Sequence, residues 1–141
     1  MLKLKRTIMS LFMLITFIVP VGLNVSNAVN AADYSLNSLY TYKSESYLSI
    51  TDKTATCTSI LVGYETTTKI TFTQTLQRKN SSGIWETVAT WNKTRDISAG
   101  SVTNKKTALV RGTYRLKTVF TVFAGVKHET ITNFSTECTV K

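Results

Sequence analysis

Two stretches of the chain alternate between apolar and polar positions. Across residues 66–78, Ile70, Phe72 and Leu76 fall on one face and Lys69, Thr71, Thr73, Thr75 and Gln77 on the other. After the Arg111-Gly112 turn, Tyr114, Leu116, Phe120 and Val122 oppose Arg115, Lys117, Val119 and Thr121. A period of two is the side-chain period of a half-buried strand. Residues 54–64 read the same way, with Ala55, Cys57, Ser59 and Leu61 on one side. Weaker strands are expected at 45–51, 84–91, 101–110 and 127–140, the last with Thr130, Thr132, Phe134, Cys138 and Val140 on one face. Asp52-Lys53, the 79–83 cluster ending in Gly83, and Ala124-Gly125 mark turns, and 92–100 reads as a polar connector. Trp85, Val88 and Trp91 are spaced by three, so either a bulge lies between them or one Trp faces outward. No stretch carries the i, i+3, i+4, i+7 pattern of an amphipathic helix. About seven short strands separated by close turns predict a two-layer antiparallel β-sandwich. Its expected core draws on Leu61, Ile70, Phe72, Leu76, Leu109, Tyr114, Leu116, Phe120, Val122 and Phe134, with Val88 and one of the two tryptophans.

The first thirty residues have a different pattern. Lys3, Lys5 and Arg6 precede an apolar run from Ile8 to Val21, closed by Pro20 and Gly22. Small residues follow in two cleavage-type triplets, Ser26-Asn27-Ala28 and Val29-Asn30-Ala31. This is the three-part layout of a secretory signal peptide, expected to be removed after Ala31 or, second, after Ala28. A spanning helix needs about 20 apolar residues, and this run is shorter. The expected organisation is a signal peptide over 1–31, a loose polar N-terminal arm over 32–44, and a β-sandwich over 45–141. The mature chain is expected to be secreted, with no transmembrane segment.

Composition sharpens the picture in three ways. The mature 110 residues contain 23 Thr and no Pro, which suits pleated, half-buried strands. Loss of the leader leaves 14 basic residues against 8 acidic ones, a net charge of +6. A positive surface favours acidic partners such as anionic wall polymers or acidic glycans, or serves solubility alone. Cys57 and Cys138 form an even pair in an exported chain without metal-type spacing, so a disulfide between them is expected.

Four segments carry a resemblance: T-A-T-C-T-S-I-L-V-G-Y (54–64), L-Q-R-K-N-S-S-G-I-W-E-T-V-A-T-W (76–91), R-G-T-Y-R-L-K-T-V-F-T-V-F-A-G (111–125) and H-E-T-I-T-N-F-S (128–135). Through its W-x-x-V-x-x-W and G-T-Y-R elements the chain resembles an uncharacterised family of small secreted proteins from Gram-positive Firmicutes. That resemblance implies export from a Gram-positive bacterium and a β-sandwich, and it implies no activity. Gly112-Thr113-Tyr114-Arg115 also looks like a strand start of immunoglobulin- or fibronectin-type domains, in which a Tyr bonds back to the backbone. The fold implied is an immunoglobulin/fibronectin-like sandwich.

The chemistry-bearing residues are few. His128 is the single histidine, and no G-x-S-x-G elbow accompanies it. Two cysteines 81 positions apart and one histidine do not form a zinc set, so no metal and no cofactor is expected. The carboxylates stand singly, and only the fold can bring a pair such as Glu86 and Glu129 together as a glycosidase couple. No catalytic residue is assigned and the chain is not read as an enzyme. The candidate binding residues are Arg115, Lys117 and Lys127, with Arg111, Lys105 and Lys106 near in sequence, and whichever of Trp85 and Trp91 faces outward. The expected function is a secreted binding module for an anionic cell-envelope polymer, a glycan or an unknown protein partner, nucleic acid being disfavoured. The alternative is a bacteriocin-like antagonist of other cells.

Overall fold

The computed structural model describes residues 26–27 and 38–141, all of them strand, turn or loop. Two sheets form. Sheet I has the order β1 (Ser26–Asn27), β2 (Thr41–Thr51), β3 (Thr54–Gly63), β6 (Ala99–Lys106). Sheet II has the order β5 (Trp85–Arg95), β4 (Lys69–Lys79), β7 (Gly112–Ala124), β8 (Lys127–Phe134), with β9 (Cys138–Val140) continuing the β8 edge along β7. Every pairing is antiparallel. Leaving β1 aside, three strands face four in an immunoglobulin/fibronectin-like sandwich, as expected.

The fold fills its interior by strand parity. Ala55, Cys57, Ser59 and Leu61 from β3 face Ile70, Phe72, Gln74 and Leu76 from β4 and Tyr114, Leu116, Thr118, Phe120 and Val122 from β7, all buried. The core divides into two clusters. One, at the β2–β3 turn end, holds Leu48, Cys57, Leu76, Tyr114, Leu116 and Cys138 among others. The other, at the far end, holds Leu61, Ile70, Phe72, Val102, Phe120 and Val122.

A polar belt lies between them. Gln74 Nε2 donates to Ser59 Oγ at 2.7 Å and to the Cys57 and Val102 carbonyls at 3.2 and 3.3 Å. Gln74 Oε1 accepts from Asn104 Nδ2 at 2.7 Å, and Ser59 and Thr118 share a 2.7 Å hydroxyl pair. These contacts tie β4 and β7 to β3 and β6 across the sandwich. A fully buried amide is tolerable here because both of its ends are bonded.

Several expected boundaries move. The arm expected over 32–44 is strand from Thr41 onward, and residues 32–37 lie outside the described residues. The connector expected over 92–100 is mostly ladder, because β5 runs to Arg95 and β6 begins at Ala99. The leader also lies outside the described residues except for Ser26 and Asn27, which pair with Ile50 and Ser49 at the β2 edge. Export cleavage where the sequence places it would take this pair away.

Two bulges reassign faces. Leu76 pairs Ala89 while Gln77 pairs Thr87, so Val88 is an extra residue in β5. Trp91 therefore packs inward against the core, and Trp85 lies outward. Both alternatives offered by the three-residue spacing are realised together. Between β8 and β9, Lys117 pairs Phe134 but Tyr114 pairs Cys138, a one-residue slip. A slip of one inverts every side chain after it. Phe134 is consequently on the outer face and 40% exposed, not in the core, while Cys138 and Val140 point inward. The Tyr expected to bond back to the backbone does so: Tyr114 Oη donates to the Val110 carbonyl at 2.6 Å.

The disulfide expected between Cys57 and Cys138 is not formed. Both residues are buried thiols in the same core cluster. Cys138 Sγ donates to the Leu48 carbonyl at 3.3 Å, which gives its hydrogen a partner. Burial, reinforced by the neighbouring Cys138, pushes the Cys57 thiol up to about 12. Burial pushes Cys138 up as well. Thiols held protonated in this way are poor nucleophiles.

Candidate functional site

The outer face of sheet II displays the alternation read from the sequence. Its middle is neutral, with Thr71, Thr73 and Thr75 on β4 beside Thr90 and Thr94 on β5. Toward the β7 start the face becomes charged and aromatic. Gln77 pairs Arg115 and Lys79 pairs Trp85, while Lys117 pairs Phe134.

Arg115 is the centre of this region. Its guanidinium lies 4.2 Å from the Trp85 ring centroid and 4.4 Å from the Phe134 centroid. Its Nε donates to Gln77 Oε1 at 2.9 Å. Aromatic rings contact the cation and Gln77 holds one corner, so the fork has a set orientation. Among the described residues, no hydrogen bond occupies the two terminal nitrogens. Partial desolvation lowers the Arg115 pKa and the Glu137 carboxylate opposes this; a guanidinium is so strong a base that the group remains charged at neutral pH. Lys79 Nζ sits 4.7 Å from the Trp85 centroid and 3.1 Å from Glu137. Stacking of this type is worth about 0.5–1 kcal/mol per exposed contact, and more when desolvated.

The register settles which basic residues assemble. Arg115 and Lys117 are two residues apart on one face of β7, with Lys79 beside them. Lys127 is not part of the group. It pairs Ala124 at the far end of the β7–β8 hairpin, seven residues along β7 from Lys117, roughly 23 Å at the strand rise. Lys105 and Lys106 belong to sheet I, opposite Thr56 and Ala55. They nevertheless sit at the same end of the sandwich as Arg115, as do Lys53, Arg78, Arg111 and Lys141, against Asp52, Glu86 and Glu137. At the opposite end, Lys43, Lys69, Lys93, Arg95 and Lys127 are nearly balanced by Glu45, Glu65, Asp96 and Glu129. The positive charge is therefore concentrated at one end.

Neither tryptophan offers a bare platform for a sugar. Trp91 is turned to the core, and the Trp85 ring already contacts Arg115 and Lys79. Sequence reasoning missed Phe134, Gln77 and Lys79 as members of the site. The alternation of β4 marked Gln77 as outward, but only the β8–β9 slip brings out Phe134.

The remaining candidates do not converge. Glu86 lies opposite Arg78, which pairs Tyr114, while Glu129 pairs Val122, so the two carboxylates stand eight β7 residues apart, roughly 27 Å. Glu86 accepts from Asn80 Nδ2 at 2.9 Å. Glu129 accepts from Ser38 Oγ, Leu39 N, Tyr40 N and Thr41 Oγ1 at 2.8–3.0 Å. His128 is exposed, stacked beside Phe123 at 5.6 Å, on the outer face and away from the buried Cys57. No group of three His, Cys, Asp or Glu side chains among the described residues can hold a metal. No helix among them is long and apolar enough to cross a membrane. Asn133 is buried and donates through Nδ2 to Ser44 Oγ, and Asn80 Oδ1 holds the β4–β5 turn by accepting from Ser82 N and Ile84 N. No protein-family model, no curated protein and no solved structure matches this chain.

Proposed function

We propose that this chain is a secreted, non-enzymatic binding module that takes an anionic cell-envelope polymer or acidic glycan at the cationic end of sheet II. The observation that carries this reading is Arg115, set between Trp85 and Phe134 with Nε anchored on Gln77. A planar fork held this way can accept two oxygens of a phosphate or carboxylate at once with little further loss of freedom. Lys117 supplies further charge beside it, Lys79 being paired with Glu137, and the surrounding end attracts a polyanion at longer range. The two cations already lying against the Trp85 ring weigh against neutral sugar stacking as the source of affinity.

The test is pulldown of the secreted protein on purified cell walls at low and high salt. Arg115→Glu/Lys117→Glu should abolish binding. Arg115→Lys keeps the charge but loses the fork and the stacking, and should weaken it about tenfold or more, the loss of one charge-assisted hydrogen bond. Salt at 1 M, where the Debye length is about 3 Å, should release the wild type. Retention that ignores both salt and charge reversal would refute the reading, as would no retention under any condition.

A further inference from the structure

We infer that the opposite end of the sandwich is a lipid-facing tip that seats on a membrane surface bearing anionic headgroups. Four exposed apolar side chains lie at that end, on three separate segments. Leu39 and Tyr42 come from the entry to β2, Tyr64 from the β3–β4 loop and Val126 from the β7–β8 turn. They are 71%, 63%, 45% and 98% exposed. Val126 occupies the second position of a two-residue turn after Gly125 at positive φ, a place where polar residues are the rule.

The exposure is built into ordered backbone. Leu39 N–H donates to Glu129 Oε2 at 2.8 Å. Tyr64 N–H donates to the Tyr40 carbonyl at 2.9 Å, and Thr67 N–H to the Tyr64 carbonyl at 2.9 Å. Gly125 N–H donates to Thr68 Oγ1 at 3.2 Å, which ties the Val126 turn to the β3–β4 loop. Gly63, just before that loop, packs so tightly that a Cβ would lie 2.8 Å from the Ser98 carbonyl oxygen. Tyr42 is the extra residue of a bulge between Thr41 and Lys43, and its ring meets Tyr64 edge to face at 6.3 Å. Bulges of this kind re-aim a side chain. A rigid frame presenting side chains from its loops is the usual construction of a binding surface.

The occupant follows from shape and chemistry. A stable protein partner needs about 800 Å² of complementary surface on each side. Single side chains projecting from three turns suit a soft medium that fills in around them. Tyrosine has an apolar ring and a polar tip, the combination favoured at membrane interfaces. Lys69, Arg95 and Lys127 lie at the same end of the sandwich, and Lys69 Nζ sits over the Phe123 ring, 4.2 Å from its centroid. Glu65 and Asp96 partly offset them, and the Glu129 carboxylate is engaged in its four hydrogen bonds. Apolar insertion therefore supplies most of the attraction, and anionic lipid adds to it.

The experiment is co-sedimentation of the secreted protein with vesicles of phosphatidylcholine alone and of phosphatidylcholine mixed with phosphatidylglycerol. Wild type is expected to bind both, more tightly with phosphatidylglycerol. Val126→Asp and Leu39→Ser, both at surface positions, are expected to lower partitioning about tenfold or more at unchanged melting temperature, since a buried aliphatic side chain is worth about 1.5–3 kcal/mol. Arg115→Glu/Lys117→Glu, at the other end, should leave binding to vesicles of phosphatidylcholine alone near wild type. This keeps the inference separate from the polyanion site. No vesicle binding by the wild type overturns the proposal, and so does unchanged binding of the tip variants. Concentration-dependent dimers lost in Val126→Asp without any vesicle binding would assign the tip to a second copy and overturn it equally. Loss of vesicle binding in the charge-reversal variant alone would move lipid contact to the cationic end.

Discussion

Replacing Glu129 tests how the start of β2 is held. The carboxylate on β8 accepts four hydrogen bonds from consecutive residues of the entering chain. Three go to Oε1, from Ser38 Oγ, Tyr40 N and Thr41 Oγ1, and one to Oε2, from Leu39 N. In Glu129→Gln the carbonyl oxygen can retain the three bonds at Oε1, now without the ionic contribution. The amide nitrogen would then face Leu39 N–H, donor against donor. Hydrogen bonds to charged acceptors are worth about 1.5–3 kcal/mol against roughly 0.5–1.5 for neutral ones, and water reaches this half-buried site. A net loss of about 1–2 kcal/mol is expected, which for a domain of this size lowers the melting temperature by about 5–10 °C. Glu129→Ala, which gives up all four bonds, should cost about 2–4 kcal/mol. The pH dependence has a definite sign. Partial burial alone would raise the Glu129 carboxyl, but the bonds from Thr41, Leu39, Tyr40 and Ser38 outweigh it and the folded pKa is lowered. A depressed carboxyl stabilises the fold above its unfolded pKa of about 4.3, and the contribution is lost as pH falls through the folded value. Thermal melts of wild type and Glu129→Gln should therefore differ at neutral pH and converge in acid. Amide exchange at Leu39 and Tyr40 should accelerate in the variant. Equal melting temperatures at neutral pH with unchanged amide protection would refute the clasp.

Tyr114→Phe removes the 2.6 Å bond to the Val110 carbonyl while keeping the ring in the core, and should cost about 1–2 kcal/mol, read as a lower urea midpoint at unchanged slope; an unchanged midpoint would show that the bond adds nothing. Cys57 and Cys138 should resist alkylation in the native protein and take up two adducts once denatured, so a mass lower by two hydrogens would contradict the structure. Because burial raises both thiols, the sign is opposite to that of Glu129: their contribution is present below the unfolded pKa of about 8.5 and is lost as pH rises toward the folded values, about 12 for Cys57.

Much of the architecture was legible because strand parity is a local property. Alternation alone placed Ile70, Phe72 and Leu76 opposite Lys69 and Thr71, and set Arg115 and Lys117 on the outer side of β7, since each side chain's face follows from its neighbours'. The Tyr114 bond was expected from the resemblance of Gly112-Thr113-Tyr114-Arg115 to an immunoglobulin- or fibronectin-type strand start, and its acceptor lies four residues upstream. Gln74 and Thr118 share the inward parity of their strands, and the partners supplied by β3 and β6 make their burial tolerable. The tertiary structure decided what depends on pairing between distant segments. One extra residue at Val88 turned Trp85 out while Trp91 stayed in, and one between Phe134 and Cys138 exposed the ring that completes the Arg115 stack. Insertions of this kind leave no mark in hydropathy, because they are defined by the opposite strand. Lys127 looked like a neighbour of Arg115 because both flank one hairpin, but a hairpin returns its second strand only to the residues facing it, and Lys127 faces Ala124. The nearness of Cys57 and Cys138 could be expected from their shared inward parity. Whether they bond depends on the local geometry of two strands in different sheets, and there Cys138 has the Leu48 carbonyl as its partner.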